Sequence, residues 1–150
     1  MMEARSSATR QAEPKISVIG IGADEQFAIA REACTGALQW LGTYACVAGI
    51  ADVNIDNGCI LLLDGDTASP DTIDVLDQNA ELRRGALPIL QTSRADVRLV
   101  VSAMKRGVVD VLSKPYTPAR LTGAVLDART RFRGLAPSPT GPGRPTRGRL

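Results

Sequence analysis

Two acidic residues at the end of an apolar run are the first candidates for chemistry in this sequence. The segment from Cys59 to Asp66 is CILLLDGD, so five apolar residues lead directly into Asp64, and Asp66 follows after one glycine. A continuous apolar run bounded by turn residues is typical of a strand buried on both faces of a parallel sheet. Ligands in such sheets bind beyond the carboxyl ends of the strands, where Asp64 lies. The alternative is that Asp64 only ends the strand and opens a turn.

Other common chemical groups are absent or have no suitable spacing. The chain of 150 residues contains no histidine, which excludes His-activated nucleophiles, His metal ligands and a phosphohistidine carrier within it. The cysteines, Cys34, Cys46 and Cys59, lack metal-site spacing, and we expect them to be apolar packing residues. Their odd number and the lack of a signal segment indicate reduced thiols and a cytoplasmic location. No segment approaches the roughly 18 apolar residues that a membrane-spanning helix needs.

A pair of glycines gives a second, weaker candidate site. Gly20 and Gly22 lie between an apolar run and a predicted helix, as glycines do in nucleotide-binding turns. The third glycine of the dinucleotide fingerprint is missing, because residue 25 is Glu. A nucleotide-binding enzyme is therefore one alternative function, and nicotinamide or ATP binding would support it.

Alternating strand and helix patterns must position these residues. Strands are predicted at Ile16–Ile21, Tyr44–Ile50, Cys59–Leu63, Ala86–Gln91 and Val108–Leu112. Apolar residues at helical spacing predict helices from Phe27 to Leu41, from Ser69–Pro70 to about Arg84, from Val97 to Met104 and from Thr117–Pro118 to Phe132. The polar segment from Ala51 to Gly58 has room for one helical turn at most. The alternation predicts a single α/β domain with a parallel sheet and right-handed crossovers.

The two ends of the chain are predicted to lie outside this folded body of residues 15–133. Residues 1–14 are predicted to be a disordered N-terminal arm. Residues 134–150 are rich in proline, glycine and arginine and cannot bury a core, so we expect a disordered basic tail. A solvated tail that aids solubility is one interpretation, and weak, salt-sensitive attraction to nucleic acid or anionic lipid is the other.

The ends of the last three predicted strands carry a resemblance to a known family. Asp64 ends the third strand, Thr92 ends the fourth, and Lys114 with its proline ends the fifth. Between Leu87 and Tyr116, the patterns T-x-x-x-D-V, A-M-K-x-G and V-D-x-L-x-K-P resemble response regulator receiver domains of the nitrogen-fixation regulator type. The resemblance implies a flavodoxin-like, doubly wound sheet of five parallel strands in the order 2-1-3-4-5. The helix between strands two and three is expected to be vestigial.

The resemblance also implies chemical roles for the residues at the strand ends. Asp64 would accept a phosphoryl group, Thr92 would donate a hydrogen bond to one phosphoryl oxygen, and Lys114 would pair with another. A carboxylate nucleophile forms an acyl phosphate in such a reaction, and catalysis is mostly positioning and charge stabilisation. The implied partners are a sensor histidine kinase and a downstream protein.

The sequence departs from the receiver pattern where a metal ion would be held. In receivers an acidic pair after the first strand holds Mg²⁺ with the acceptor aspartate, but here Gly22 and Ala23 stand in its place. The candidate ligands that remain are Asp64, the backbone carbonyl of Asp66, and Asp24 if the turn is rearranged. We therefore expect Mg²⁺ to bind weakly.

A second departure concerns how phosphorylation would be reported to a partner. The position three residues before Lys114 is usually aromatic in receivers and is coupled to the threonine, but here it is Val111. The partner-binding face implied by the resemblance is formed by the predicted helix at Val97–Met104, the fifth strand and the last helix. We expect phosphorylation to change this face little, and the same face could form a homodimer.

Two non-enzymatic functions follow from this resemblance and its departures. A stand-alone atypical receiver would be phosphorylated on Asp64 and act by binding another protein in two-component signal transduction. A degenerate receiver would instead be a phosphorylation-independent interaction module in which Asp64 is a remnant. Formation of an acyl phosphate from a small phosphodonor would distinguish the two.

Overall fold

A five-stranded parallel sheet in the order β2-β1-β3-β4-β5 forms the centre of the molecule. The computed structural model describes residues 15–50, 57–78 and 85–135. The strands are β1 (Ile16–Ile21), β2 (Leu38–Tyr44), β3 (Cys59–Asp64), β4 (Ala86–Thr92) and β5 (Asp110–Ser113). The helices are α1 (Ala28–Ala33), α2 (Thr72–Gln78), α3 (Val97–Lys105) and α4 (Pro118–Leu135). The predicted doubly wound fold and its strand order are confirmed.

Helices cover both faces of the sheet, so the central strands are buried throughout. Every residue of β1 and β3 is buried, as their largely apolar sequences predict, and this includes the polar residues Ser17 and Asp64. On one face α1 and α4 pack on alternate residues such as Val18 and Leu62. On the other face α2 and α3 pack on Ile19 and Leu61. Burial of each such side chain contributes about 1.5–3 kcal/mol, so the central strands are the most firmly held part of the sheet.

The predictions for the first helix and the second strand were wrong. Helix α1 ends at Ala33 rather than near Leu41, and β2 is Leu38–Tyr44 rather than Tyr44–Ile50. Gly36 has a φ of +60°, which interrupts the helical path at little steric cost. The segment after it contains aromatic and β-branched residues that favour a strand. A register shift within β2 breaks the regular two-residue period, and this made the strand hard to recognise in the sequence.

Smaller differences concern the ends of other elements. Strand β5 begins at Asp110, because the Val108 amide bonds to the carbonyl of Ala103 at the end of α3, at 3.1 Å. Between β2 and β3 the chain forms a 3₁₀ helix at Val47–Ile50, and residues 51–56 lie outside the described part. A second 3₁₀ helix, Asp24–Phe27, precedes α1.

Some predictions fall on residues that the structure does not describe. The predicted continuation of α2 to Arg84, the N-terminal arm at 1–14 and residues 136–150 of the basic tail lie outside the described residues. Helix α4 continues to Leu135, two residues beyond the predicted end of the folded body. None of the helices in the described ranges has the length and apolar character needed to cross a bilayer.

Candidate functional site

The carboxyl ends of three neighbouring strands bring the predicted site residues together. Asp64 is the last residue of β3 and Thr92 is the last residue of β4, while Lys114 follows β5 directly. The Lys114 ammonium lies 2.5 Å from Oδ1 of Asp64, which is salt-bridge distance. The sheet thus places a carboxylate, a hydroxyl and a cation at one edge, as the strand pattern implied.

Asp64 is closed off from solvent by its neighbours. Its side chain is 0% exposed, and Gln91 donates a hydrogen bond from Nε2 to Oδ1 at 3.0 Å. The backbone N–H of Thr67 donates to Oδ2 at 3.0 Å, and the Thr67 hydroxyl donates to the same oxygen. With Lys114 on Oδ1, both carboxylate oxygens are engaged by protein donors. A buried carboxylate held in this way is charge-compensated and hydrogen-bonded, as burial of an ionised group requires.

Two glutamines connect Asp64 with Lys114 and with Tyr116, which precedes the last helix. The buried Gln91 amide also donates from Nε2 to the backbone carbonyl of Gln26, at 3.0 Å. The side-chain carbonyl of Gln26 in turn accepts a hydrogen bond from the Lys114 ammonium at 2.7 Å. Tyr116 donates its hydroxyl proton to Oε1 of Gln91. Burial, together with the nearby negative charge of Asp64, raises the pKa of Tyr116 to about 12.

Asp66 is held by a different set of donors on the β4–β5 side. Its carboxylate accepts from the Thr92 hydroxyl at 2.9 Å and from the Ser93 N–H at 3.0 Å. The Lys114 ammonium lies 3.0 Å from Oδ2 of Asp66. Partial burial alone would raise the pKa of Asp66, but the hydrogen bonds from Lys114, Thr92 and Ser93 outweigh this effect and lower the pKa to about 2. Asp66 is therefore ionised at any ordinary pH.

The turn after β1 is pressed against Asp64. Gly22 has a φ of +144°, and a Cβ atom there would lie 2.8 Å from Cβ of Asp64 and 2.9 Å from Oγ1 of Thr67. The Thr67 hydroxyl also accepts a hydrogen bond from the Ala23 N–H at 2.9 Å. The Thr67 side chain thus lies directly over the position where a carboxylate from residue 22 would begin.

Comparisons with solved structures agree with this fold, whereas comparisons of sequence found no related family or curated protein. No family model matches the sequence, and no curated protein matches it. A CheY-like receiver domain protein from Methanospirillum hungatei superimposes with a TM-score of 0.66 at 14% identity, covering 82% of this chain and all of that one (100%). A response regulator from Thermotoga maritima gives a TM-score of 0.66 at 12% identity, covering 78% and 99%. The chain has the receiver fold.

The receiver fold is also found in a protein named for a different role. The pilus assembly protein CpaE from Caulobacter crescentus gives a TM-score of 0.59 at 17% identity, with 75% of this chain and 92% of that chain covered. All three identities are low, so these likenesses establish the receiver fold and leave the function to be argued from the site.

The residues of this receiver-fold site do not fit a Mg²⁺ ion. Mg²⁺ requires near-octahedral oxygen coordination, usually with one or two carboxylates that are free to bind. The structure does not bring Asp24 to the site, since its carboxylate binds the Arg31 guanidinium at 3.0 Å and the Thr43 hydroxyl at 2.7 Å. The Asp64 oxygens are already engaged, and Lys114 supplies the positive charge. Among the described residues there is no group of three or more His, Cys, Asp or Glu side chains that could hold a metal.

Sequence reasoning missed several residues that build this site. Thr67, Gln26 and Gln91 were not predicted, and Asp66 was assigned only its backbone carbonyl. Gln91 gave a usable signal, because a glutamine in the last positions of an otherwise apolar strand must find hydrogen-bond partners when it is buried. Thr67 and Gln26 lie in polar turn segments and gave no such signal.

Proposed function

We propose that this chain is a receiver-fold interaction module that binds a partner protein without phosphorylation of Asp64. The observation that carries the proposal is the closed state of Asp64, which is 0% exposed. A phosphodonor must approach a carboxylate oxygen in line with its leaving group, and the reaction depends on that positioning. Gln91, Thr67 and Lys114 engage both oxygens, so this approach is blocked.

The charge balance of the site supports the same proposal. Phosphoryl transfer concentrates negative charge that metal ions and cations must neutralise. Here two carboxylates, Asp64 and Asp66, already share the single ammonium of Lys114 at 2.5 and 3.0 Å. Gly22 and Ala23 stand where receivers have the acidic residues that bind a metal ion. These two positions therefore offer no carboxylate to bind a further cation. The site is suited to holding one fixed arrangement.

The binding surface that we propose is the outer face of α3. Val97 is 79% exposed, and Val101 and Met104 are about half as exposed, at 47% and 43%. Exposed apolar side chains grouped on one helix mark a protein-interaction surface. Arg98 and Lys105 on the same helix are exposed and positively charged, so they favour a partner with acidic groups. A homodimer through α3, β5 and α4 is a further outcome that this surface allows.

A second candidate function is a phosphorylated stand-alone receiver in two-component signal transduction. The observation that favours it is the convergence of Asp64, Thr92 and Lys114 at one sheet edge, with carboxylate and ammonium 2.5 Å apart. Its partners would be a sensor histidine kinase, a downstream protein, or both. For it to operate, Thr67 and Gln91 must first release the Asp64 oxygens.

A nucleotide-binding enzyme has no support from the glycine pair. A Cβ atom at Gly20 would lie 2.7 Å from the Trp40 ring and 3.0 Å from the Phe27 ring. Gly22 is packed against Asp64 and Thr67 in the same way. Both glycines are therefore explained by close packing, and we do not propose an enzyme.

Intact-mass measurement after incubation with acetyl phosphate and Mg²⁺ tests the proposal. We expect the native chain to keep its mass, because Asp64 is inaccessible. The matched control is Asp64→Asn, which keeps the shape of the side chain but has no nucleophilic carboxylate. Addition of one phosphoryl group to the native chain, and none to Asp64→Asn, would overturn the proposal in favour of the second candidate.

A further inference from the structure

We propose that the Asp66 carboxylate is the built-in ligand of an anion cradle formed by the Thr92 hydroxyl, the Ser93 N–H and the Lys114 ammonium. Asp66 thus occupies the place where these donors would otherwise hold a phosphate ion or a phosphoryl group. The inference rests on the proposed function, because it explains how the module is held in one state without phosphorylation.

The first support is the convergence of three donors on one carboxylate. Thr92 donates to Oδ1 at 2.9 Å, while Ser93 donates to Oδ2 at 3.0 Å and Lys114 lies 3.0 Å from the same oxygen. A hydroxyl, a backbone amide and an ammonium group together suit an anion with several acceptor oxygens. These donors lie at the ends of β4 and β5, where Ser93 is exposed and Lys114 is partly buried.

The second support is the way the chain delivers Asp66 to these donors. Gly65 donates its N–H to the backbone carbonyl of Gln91 at 2.8 Å. A Cβ atom at Gly65 would lie 3.2 Å from Leu90 and 3.3 Å from Cβ of Thr92. The backbone after β3 is therefore drawn close to β4, and this close approach carries the next residue, Asp66, directly to Thr92.

The cradle is connected to the start of the proposed binding helix. The Thr92 hydroxyl, which donates to Asp66, also accepts a hydrogen bond from the Arg94 N–H at 3.1 Å. Two residues later Asp96 caps α3, with its side chain accepting from the Leu99 N–H at 2.8 Å. The Thr92 hydroxyl thereby links the Asp66 carboxylate to the segment that leads into α3.

Titration with inorganic phosphate, followed by two-dimensional amide NMR spectra, tests this proposal. The variant Asp66→Ala removes the internal ligand but leaves Lys114 paired with Asp64 and Gln26. We expect phosphate to shift the Ser93 and Arg94 amides of this variant with an affinity at least about tenfold higher than in the native chain, since a like charge has been removed. The matched control is Asp127→Ala, which removes an exposed carboxylate on α4 that pairs with Arg131. It should respond as the native chain does.

Two outcomes would overturn the inference. In one, Asp66→Ala has a native-like spectrum but phosphate leaves its Ser93 amide unchanged. In the other, phosphate shifts Ser93 equally in the native chain and in the variant. If Asp66→Ala does not fold, Asp66→Asn serves in its place, since it keeps the side-chain shape without the charge. It must then show the larger phosphate response at Ser93.

This test is separate from the test of the proposed function. An acyl phosphate on native Asp64 would contradict the proposed function, but it would not affect the phosphate response of the Asp66 variants. Failure of those variants to bind phosphate would contradict the proposed cradle, but it would not contradict the proposal that Asp64 stays unphosphorylated.

Discussion

The end of the sheet at which the strands terminate has two sides, and they differ in the groups that surround the two carboxylates. On the β4–β5 side, Thr92, Ser93 and Lys114 form a complete set of anion donors around one carboxylate. On the β1 side, Gly22 is packed directly against Asp64, so this side has no room for an additional side chain. The anion donors and the close packing around Asp64 therefore come from different strands of the sheet.

The difference also shows how the charge of Asp64 is compensated. Asp64 lies between the two sides, and the cation that compensates its charge, Lys114, comes from the β5 side. Thr67 closes the opposite side by binding both Asp64 and the backbone of Ala23. The β1 side therefore contributes shape, and the β4–β5 side contributes charge. Substitutions on the β1 side should therefore change stability through packing and backbone strain, and those on the β4–β5 side through charge.

The largest effect is expected on the charged side, from Lys114→Met. This change leaves the carboxylate of Asp64 buried without its counter-ion, and breaking a buried pair in this way costs about 3–5 kcal/mol of stability. Urea unfolding followed by circular dichroism measures the loss. Lys105→Met on exposed α3 is the control and should change stability by less than about 0.5 kcal/mol. A comparably small loss for Lys114→Met would mean that the β4–β5 side does not carry the charge compensation.

A smaller effect is expected on the packed side, from Gly22→Ala. The added Cβ meets Asp64 and Thr67 at 2.8 and 2.9 Å, at a φ of +144°. Backbone strain of about 1–2 kcal/mol and overpacking of about 1–3 kcal/mol together predict a loss of roughly 2–5 kcal/mol. Thermal or urea unfolding gives the value.

Gly36→Ala is the matched control for this substitution. Gly36 also has a positive φ, +60°, but among the described residues no heavy atom beyond its chain neighbours lies within 4 Å of the position of its added Cβ. We expect only the strain of about 1–2 kcal/mol there. Equal losses for the two variants would show that close packing around Gly22 is unimportant.

The smallest effect concerns Tyr116, which links the two sides through Gln91. Its pKa is raised from 10.0 to about 12, so the folded state binds the phenol proton more tightly than the unfolded state does. The contribution of Tyr116 to stability is then complete below pH 10 and is lost as the pH rises from about 10 to about 12. Ultraviolet titration of the native chain minus that of Tyr116→Phe should show phenol ionisation near the upper limit of this window.

The Tyr116→Phe variant gives a second readout at neutral pH. It removes one donor to a buried amide, so we expect a stability loss of about 1 kcal/mol. A difference titration centred near pH 10 would contradict the burial of this hydroxyl and weaken its link to Gln91.

Local sequence patterns predicted that the site residues lie at the strand ends. They did not predict that neighbouring side chains close Asp64 off from solvent. The apolar run before Asp64 and the positions of Thr92 and Lys114 placed all three at one edge, because parallel strands end together. Strand β2 was misplaced, since the helical spacing of apolar residues continues past Gly36 while the backbone does not.

The closure itself depends on contacts between distant segments. Gln26 and Gln91 are separated by 65 positions, and Thr67 meets Ala23 across 44 positions. No short-range pattern in a single sequence encodes such pairs. Gly22 was recognised as a missing metal ligand, but its contact with Thr67 could be seen only in three dimensions.

The position of Asp66 on the chain has a consequence for competition with free ions. A ligand tethered beside its own site has an effective concentration in the millimolar range or higher, set by the length and stiffness of the linkage. The linkage here is the short backbone segment between Asp64 and Asp66, held against β4 by the Gly65 N–H. A dissolved anion of equal intrinsic affinity must exceed that effective concentration before it displaces the carboxylate. We therefore expect free phosphate to compete poorly with Asp66 for these donors in the native chain.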